Sequence, residues 1–554
     1  MTRSQPSNTT IDHRFWAQNL YEVEPHFGTE EDLHSLIAEV HARGMLLMLD
    51  VVVNHMGYAA GGLPWEIDWS VFRPFNDSKY FHDYCEILDP ESAKDMRQCW
   101  LGSSHVPLAD LRTEDPEVQD MFGMWIREMV ANYSIDGLRI DTSINVDPEF
   151  FINFVDAAGV FATGEVMQGD ASVACEWADT IGSILNYPIY YTLTRAFESS
   201  EGSINDLVRT IESVKEICPN STSFGSFSEN HDVARFASLT DDSALAKNII
   251  TYTVMADGIP IIYQGQEQRQ YGSINPYYNR SPLWQAGFDT SAPLYKHIAT
   301  LNRFRKHVID KNENYTDYMA EVVFQDLHSL ALRKGFNGSQ VITVLNNDGQ
   351  NCGYFELDIG CGHDYAPGTV LTEILTCKNL TVDDSGNLTV PMFAGTPKVL
   401  YPVELLANSS ICGMHPAPEP LPSATVMTVD ATSSVHGRPT TYETVEVSPL
   451  PPFTTHLWST INGLPTTVET VVPFSDVTYT TTRTTTLPGG DVTATPVPTT
   501  IDIPDLISAG IEAGDASRVH GAGGSGSFAA AATKRSAEGG HHVHSHARHA
   551  HGHS

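Results

Sequence analysis

The sequence predicts an α/β protein organised around a parallel barrel, followed by an all-β domain. Two observations carry this. Four short segments, Asp50-Val-Val-Val-Asn-His55, Gly137-Leu-Arg-Ile-Asp141, Gly164-Glu165-Val166 and Glu229-Asn-His-Asp232, set acids, an asparagine and histidines at or just beyond short apolar runs, as buried strands do when they end at a functional surface. Helical periodicity alternates with those runs to about residue 310 and then gives way to short alternating segments. A parallel barrel gathers the C-terminal ends of its strands at one mouth, so acids far apart in sequence meet there.

The elements follow in chain order. Glu30 to Arg43 carries Leu33, Leu36, Ile37 and Val40 at helical spacing, with Thr29 as N-cap and Gly44 as terminator. Leu46 to Val53 reads as a buried strand. Some sixty residues rich in Trp, Asp and Pro then separate it from a second helix, Pro116 to Tyr133, whose apolar side is Met121, Trp125, Ile126 and Met129. An insertion of that length is a functional loop or a small domain. Gly137 to Asp141, Val160 to Thr163, Phe224 to Ser228 and Ile259 to Tyr263 are the later strands, and Tyr318 to Val403, with runs such as Val341-Ile-Thr-Val-Leu345, reads as a separate β domain.

Composition narrows the function. With 32 basic and 68 acidic residues the formal charge is −36, which speaks against nucleic acid or an anionic membrane as partner and tolerates an uncharged one. Eight cysteines and sequons including those at Asn8, Asn132, Asn220, Asn314, Asn337, Asn387 and Asn408 point to an oxidising, glycosylating route and so to an extracellular location. Met1-Thr-Arg-Ser-Gln-Pro-Ser is nevertheless unlike a signal peptide, and no run is long and apolar enough to span a membrane. Beyond about residue 415 the chain turns to Pro, Thr, Ser and Val, as in Thr478-Tyr-Thr-Thr-Thr-Arg-Thr-Thr-Thr486, then to Gly and Ala, then to a His-rich end at Gly539 to Ser554. Residues 416–554 are expected to form a disordered, O-glycosylated stalk with a solvated His-rich tail.

The four segments, in order, resemble the four signature regions of the α-amylase family, family 13 of the glycoside hydrolases. Phe15-Trp16-Ala-Gln, Phe27-Gly-Thr, Tyr263-Gln-Gly-Gln-Glu267 and Leu294-Tyr-Lys extend the similarity from about His13 to about Cys412. The resemblance implies a (β/α)8 TIM barrel over residues 1–315, an inserted calcium-linked loop domain at 55–111 and a C-terminal β sandwich at 316–415. It implies Asp141 as nucleophile, Glu165 as acid/base and Asp232 as transition-state stabiliser, for retaining cleavage of α-1,4-glucosidic bonds in starch and maltooligosaccharides by a monomer, and it extends the extracellular location to the cell wall. Phe15, Trp16, His55, Arg139, His231 and Arg280 are implied as substrate contacts. Retaining chemistry needs two carboxyls about 5 Å apart, one ionised and one protonated. Arg139, two residues before Asp141 and so on the same strand face, is expected to keep the nucleophile ionised, and a dry, carboxylate-rich place is expected to raise Glu165. Calcium is the implied metal, held by Asn54, Asp110, backbone oxygen near Arg97, and the carbonyl of Asn145 where the family has a histidine. The family's disulfide separations imply Cys85–Cys99, Cys175–Cys218 and Cys377–Cys412, leaving Cys352–Cys361 as a fourth pair.

Departures from the family pattern bear on the sugar groove. Ile144-Asn145 replaces a Lys-His pair just after the nucleophile, Phe15 replaces a stacking tyrosine, and Asn275 replaces an aspartate. These changes admit a 4-α-glucanotransferase acting on wall glucan as an alternative to a hydrolase. The family barrel also opens with two strands and a helix that have no match before His13, so a barrel lacking its first two strands is expected. Six strands cannot close an eight-stranded barrel, which admits an inactive glucan-binding wall protein as a third reading.

Overall fold

A computed structural model describes residues 16–58, 63–103, 106–274 and 277–414, together with the backbone of short strands at 2–3 and between 426 and 498. The chain divides into two units, residues 1–419 and 420–554.

The first unit is built on a parallel ladder. Met48–Val52 pairs with Gly137–Asp141, which pairs with Phe161–Gly164. Single parallel bridges continue the ladder through Gly164 to Ile184 and from Leu185 to Gly225, and Gly225–Ser226 pairs with Ile259–Pro260. Six strand positions thus run side by side, helices follow them on the outer side, and among the described residues neither outer strand has a further parallel partner in the ladder. The 184–185 position has no counterpart in the sequence reading, because two residues are too short to display a period.

Most of the α-helices start where a side chain can satisfy a free amide. Thr29 caps Glu30–Ala42, with a reciprocal bond between the Thr29 amide and Asp32 at 2.8 Å, and Asp115 precedes Pro116 at the head of Pro116–Tyr133. The second helix buries Val118, Phe122, Trp125, Ile126 and Tyr133. Its stripe is therefore rotated from the expected one, and Met121 and Met129 flank it, partly buried. The first helix buries only Ile37; Leu36 is exposed, because the helix lies beside the open outer strand.

The insertion after Met48–Val52 forms a three-stranded antiparallel sheet, His55–Gly57, Val106–Asp110 and Leu101–Ser103. Phe72, Phe75 and Phe81 are buried within it. Gly57 is required for close approach: a Cβ there would lie 2.5 Å from the Trp16 Cα, and its amide donates to the Ala17 carbonyl at 2.9 Å.

The β domain comprises a six-stranded antiparallel sheet in the order 321–325, 329–334, 341–346, 398–402, 370–373, 378–381 and a two-stranded one, 355–358 with 389–392. Ala331, Ile342, Val344, Leu357, Val390 and Leu400 fill the space between them.

Cys85–Cys99, Cys175–Cys218 and Cys377–Cys412 are bonded, with Cα separations of 4.7, 5.8 and 5.3 Å. The expected fourth bridge is not formed: Cys352 and Cys361 are free thiols. They flank the Phe355–Asp358 strand, whose extended residues alone span about 10 Å, beyond the roughly 7 Å that a disulfide tolerates between Cα atoms.

In the second unit, where composition predicts no regular structure, the backbone pairs as three antiparallel hairpins, 426–435 with 438–447, 453–461 with 464–472, and 480–486 with 492–498. The His-rich tract lies outside the described residues.

Candidate active site

The site forms where three ladder strands end. Gly137–Asp141 is buried at every position, its apolar side chains lying in the core while Arg139 and Asp141 alternate toward the mouth. Gly164 ends the neighbouring strand and has no room for a side chain: a Cβ would lie 2.5 Å from Ile181 and 2.9 Å from the Ser143 hydroxyl. That close packing delivers Glu165 beside Asp141. The third group, Asp232, comes from the loop after Gly225–Ser226.

Arg139 organises all three acids. Its Nη1 pairs with Asp141 and, at 3.0 Å, with Asp50; its Nη2 pairs with Glu165 at 2.8 Å and lies 3.9 Å from Asp232. A single guanidinium therefore spans Asp141 and Glu165. Asp50, Glu165 and Asp141 together hold Arg139 charged against the cost of its burial. Glu165 is pushed up to about 7 by burial, and Asp141 and Asp232 add to the rise against the pull of Arg139. Its Oε2 accepts from the Thr142 amide at 3.0 Å, and its Oε1 from the Tyr187 hydroxyl at 3.4 Å. Asp232 moves the other way. Although burial opposes ionisation, His231 at 2.8 Å, Arg139, and Arg280 at 2.7 Å hold its carboxyl below the usual range. Adjacent carboxyls driven apart in this way can supply an ionised and a protonated group at one pH.

A second tier of buried groups fixes the Asp232 loop. Arg235, fully buried, pairs with Glu229 at 2.9 Å and donates to the carbonyls of Gln264 and Asn279. Asn279 Nδ2 donates to the His231 carbonyl at 2.7 Å, and Arg280 Nε to the same carbonyl at 2.9 Å. Beside them Tyr277 adopts φ 70°, an unusual backbone for an aromatic residue, and its ring packs against the Arg280 guanidinium at 5.0 Å.

Of the expected residues, Asp141, Glu165, Asp232, Arg139, His231 and Arg280 converge on one mouth. His55 lies buried in the inserted sheet, in register with Asp110 and 3.3 Å from the Asn54 amide group. Trp16 is half-buried against Gly57. Phe15 and Asn275 lie outside the described residues. Sequence reasoning missed Thr142, Tyr187, Arg235 and Asn279. Tyr187 had no usable signal, since the two-residue run Ile184-Leu185 before Asn186 is too short to mark a strand. Thr142 had none either: its left-handed backbone, φ 47°, is unusual for a β-branched residue.

The calcium candidates gather at the base of the insertion. Asn54, Asp110 and Asn145 are buried. Asn145 Nδ2 donates to the Met96 carbonyl at 2.8 Å, which ties the segment holding Arg97 to the end of the Asp141 strand; the Arg97 side chain pairs with Asp147. Asp110 Oδ2 meets His82 at 2.6 Å, while Asp110 Oδ1 is buried without a hydrogen-bond partner, and burial pushes this carboxyl up to about 7. A buried carboxylate oxygen is a ligand type that suits a hard cation. No group of three or more His, Cys, Asp or Glu side chains suited to a metal occurs among the described residues, so such an ion would depend on carbonyls.

Comparison with known proteins agrees with this arrangement. Residues 4–317 match the family model described as alpha amylase, catalytic domain, and residues 322–418 match alpha-amylase, domain C. Alpha-amylase 2 of Schwanniomyces occidentalis is 40% identical over 400 residues, covering 72% of this chain and 78% of the relative. An alpha-amylase of Saccharomycopsis fibuligera is 41% identical over 410 residues, covering 74% and 80%. Among solved structures, an alpha-amylase from Malbranchea cinnamomea superposes with a TM-score of 0.71 at 44% identity, over 74% of this chain and 86% of that one.

Proposed function

The chain belongs to the alpha-amylase family of glycoside hydrolases, and from that premise we propose that it hydrolyses internal α-1,4-glucosidic bonds of starch-like α-glucans with retention of configuration. The observation that carries this is the single Arg139 guanidinium bridging Asp141 and Glu165 while Glu165 is pushed up to about 7. Asp141, paired with Arg139, attacks the anomeric carbon and forms a covalent glycosyl ester as Glu165 gives its proton to the leaving oxygen. Glu165, now ionised, then takes a proton from water, which attacks the ester and frees Asp141. Asp232, kept ionised, faces the positive charge that develops on the sugar ring.

Hydrolysis is favoured over transfer because the similar relatives are named alpha-amylases. The test is product analysis with maltoheptaose. Reducing ends should accumulate in proportion to bonds broken, and accumulation of oligosaccharides longer than the substrate, without net reducing ends, would overturn the hydrolase reading.

Asn54, Asp110, the Arg97 carbonyl and the Asn145 carbonyl would hold calcium, which when bound supplies charge that fixes the insertion against the barrel. The unpartnered Asp110 oxygen supports this reading. Calcium at about a hundred times its Kd should add about 2.7 kcal/mol of stability, and Asp110→Asn should abolish that response; a melting temperature indifferent to calcium and chelator would refute it. Three disulfides and the sequons support an extracellular or wall location, and no helix among the described residues is long and apolar enough to cross a membrane.

A further inference from the structure

Away from the mouth, a cavity of about 240 Å³ opens between two barrel helices and the β domain. Lys247 of Ser243–Met255 and Pro293 and His297 of Pro293–Lys311 line one side of it; Thr376, Thr396 and Lys398 line the other. Among the described residues no acid borders it, although acids outnumber bases about two to one in the chain. Lys398 is only 9% exposed, yet among the described residues neither it nor Lys247 has a hydrogen bond or ion pair for its ammonium. The neighbouring buried carboxylate is already committed: Glu373 accepts from the amides of Leu375 at 3.0 Å and Val399 at 3.3 Å and from the Thr376 hydroxyl.

Two ammonium groups that line one cavity with no acid to pair with repel each other and leave a positive potential there. A third positive end points the same way. The 19-residue helix Pro293–Lys311 begins at the cavity with Ala292 as N-cap and no side-chain cap, so its first amides have no side-chain acceptor. His297 adds no charge at neutral pH, since burial and then Lys247 push it down to about 4; its Nε2 is occupied by the Lys247 carbonyl and the Thr251 hydroxyl.

The geometry points to an anion site here that takes a phosphate group, clamped by Lys247 and the helix N-terminus from the barrel and by Lys398 from the β domain. A phosphate dianion offers oxygens to both lysines at once, which a single chloride does less well. Free phosphate and a phosphorylated sugar share this chemistry.

The experiment measures melting of the full chain in phosphate, in a hexose phosphate and in chloride at equal ionic strength, with binding followed by calorimetry. Phosphate should raise the melting temperature saturably by a few degrees at about a hundred-fold over half-saturation. A hexose phosphate that binds more tightly than phosphate would identify the phosphorylated sugar as the ligand; weaker binding would identify the free ion. Lys398→Met should abolish the shift, and Lys247→Met should weaken phosphate binding at least about ten-fold. Starch cleavage should be unchanged in both. An equal shift in chloride, no shift in wild type, or a full phosphate response in Lys398→Met or Lys247→Met would overturn the site.

Discussion

Two neighbouring helix-and-strand pairs, written in the same sequence pattern, end in opposite states. In the pair Pro116–Tyr133 and Gly137–Asp141 the helix buries five apolar or aromatic residues and every strand position is buried. In the pair Glu30–Ala42 and Met48–Val52 the helix buries one residue, and the strand leaves Met48 at 46% exposure with Leu46 and Met45 beside it. Both are capped and both pair in register with each other. The difference is position: one strand has neighbours on both sides, the other is an outer strand. Propensity and capping make the elements, but burial of every position along a strand requires neighbours on both sides. Arg139 and Asp141 are buried on the inner strand, whereas the Asp50 side chain, on the outer one, keeps 41% of its surface exposed, although desolvation raises its carboxyl too.

The sharpest way to break this comparison is Asp141→Asn. If the inner strand carries the nucleophile, kcat on soluble starch should fall by more than about 10⁴-fold while the melting temperature changes little; retained turnover would remove Asp141 from the chemistry. Glu165→Gln should cost about 10²- to 10⁴-fold. In wild type the alkaline limb of activity should fall as pH rises through about 7, because Glu165 must be protonated to release the leaving sugar. Stability follows the same sign. A carboxyl raised from about 4.3 in the unfolded chain favours the native state below that value, and this contribution is lost as pH rises through about 7. Glu165→Gln should therefore flatten the pH dependence of melting over that window.

Packing separates the two strands more gently. Leu138→Ala, at a fully buried position of the inner strand, should destabilise by about 2–5 kcal/mol in denaturant titration. The same truncation at Met48 on the outer strand should cost about 0.5 kcal/mol or less. Equal costs would mean that the outer strand is as well covered as the inner one, and the contrast would fail.

Much of the site was legible before any coordinates. Asp141, Glu165 and Asp232 stand where apolar runs give out, and a parallel ladder sends such positions to one end. Arg139 was legible for the same reason, two residues before Asp141 on one strand face. Thr142, Arg235 and Asn279 were not, since each acts by a backbone angle or a bond to a carbonyl thirty or more residues distant that no local period encodes. The Cys352–Cys361 pairing failed because parity and spacing ignore that an extended strand holds the two thiols apart.

What the sequence determined by itself is the order of the main strands and helices, the cap at Thr29, and the identity of the acids, because these depend on periods and side-chain chemistry within a few residues. What only the tertiary structure decided is which of those elements became buried and which group met which. The rise of Glu165, the fall of Asp232 and the unpartnered Lys398 all depend on charges brought together across long separations in the chain, in a medium of low dielectric that exists only after folding.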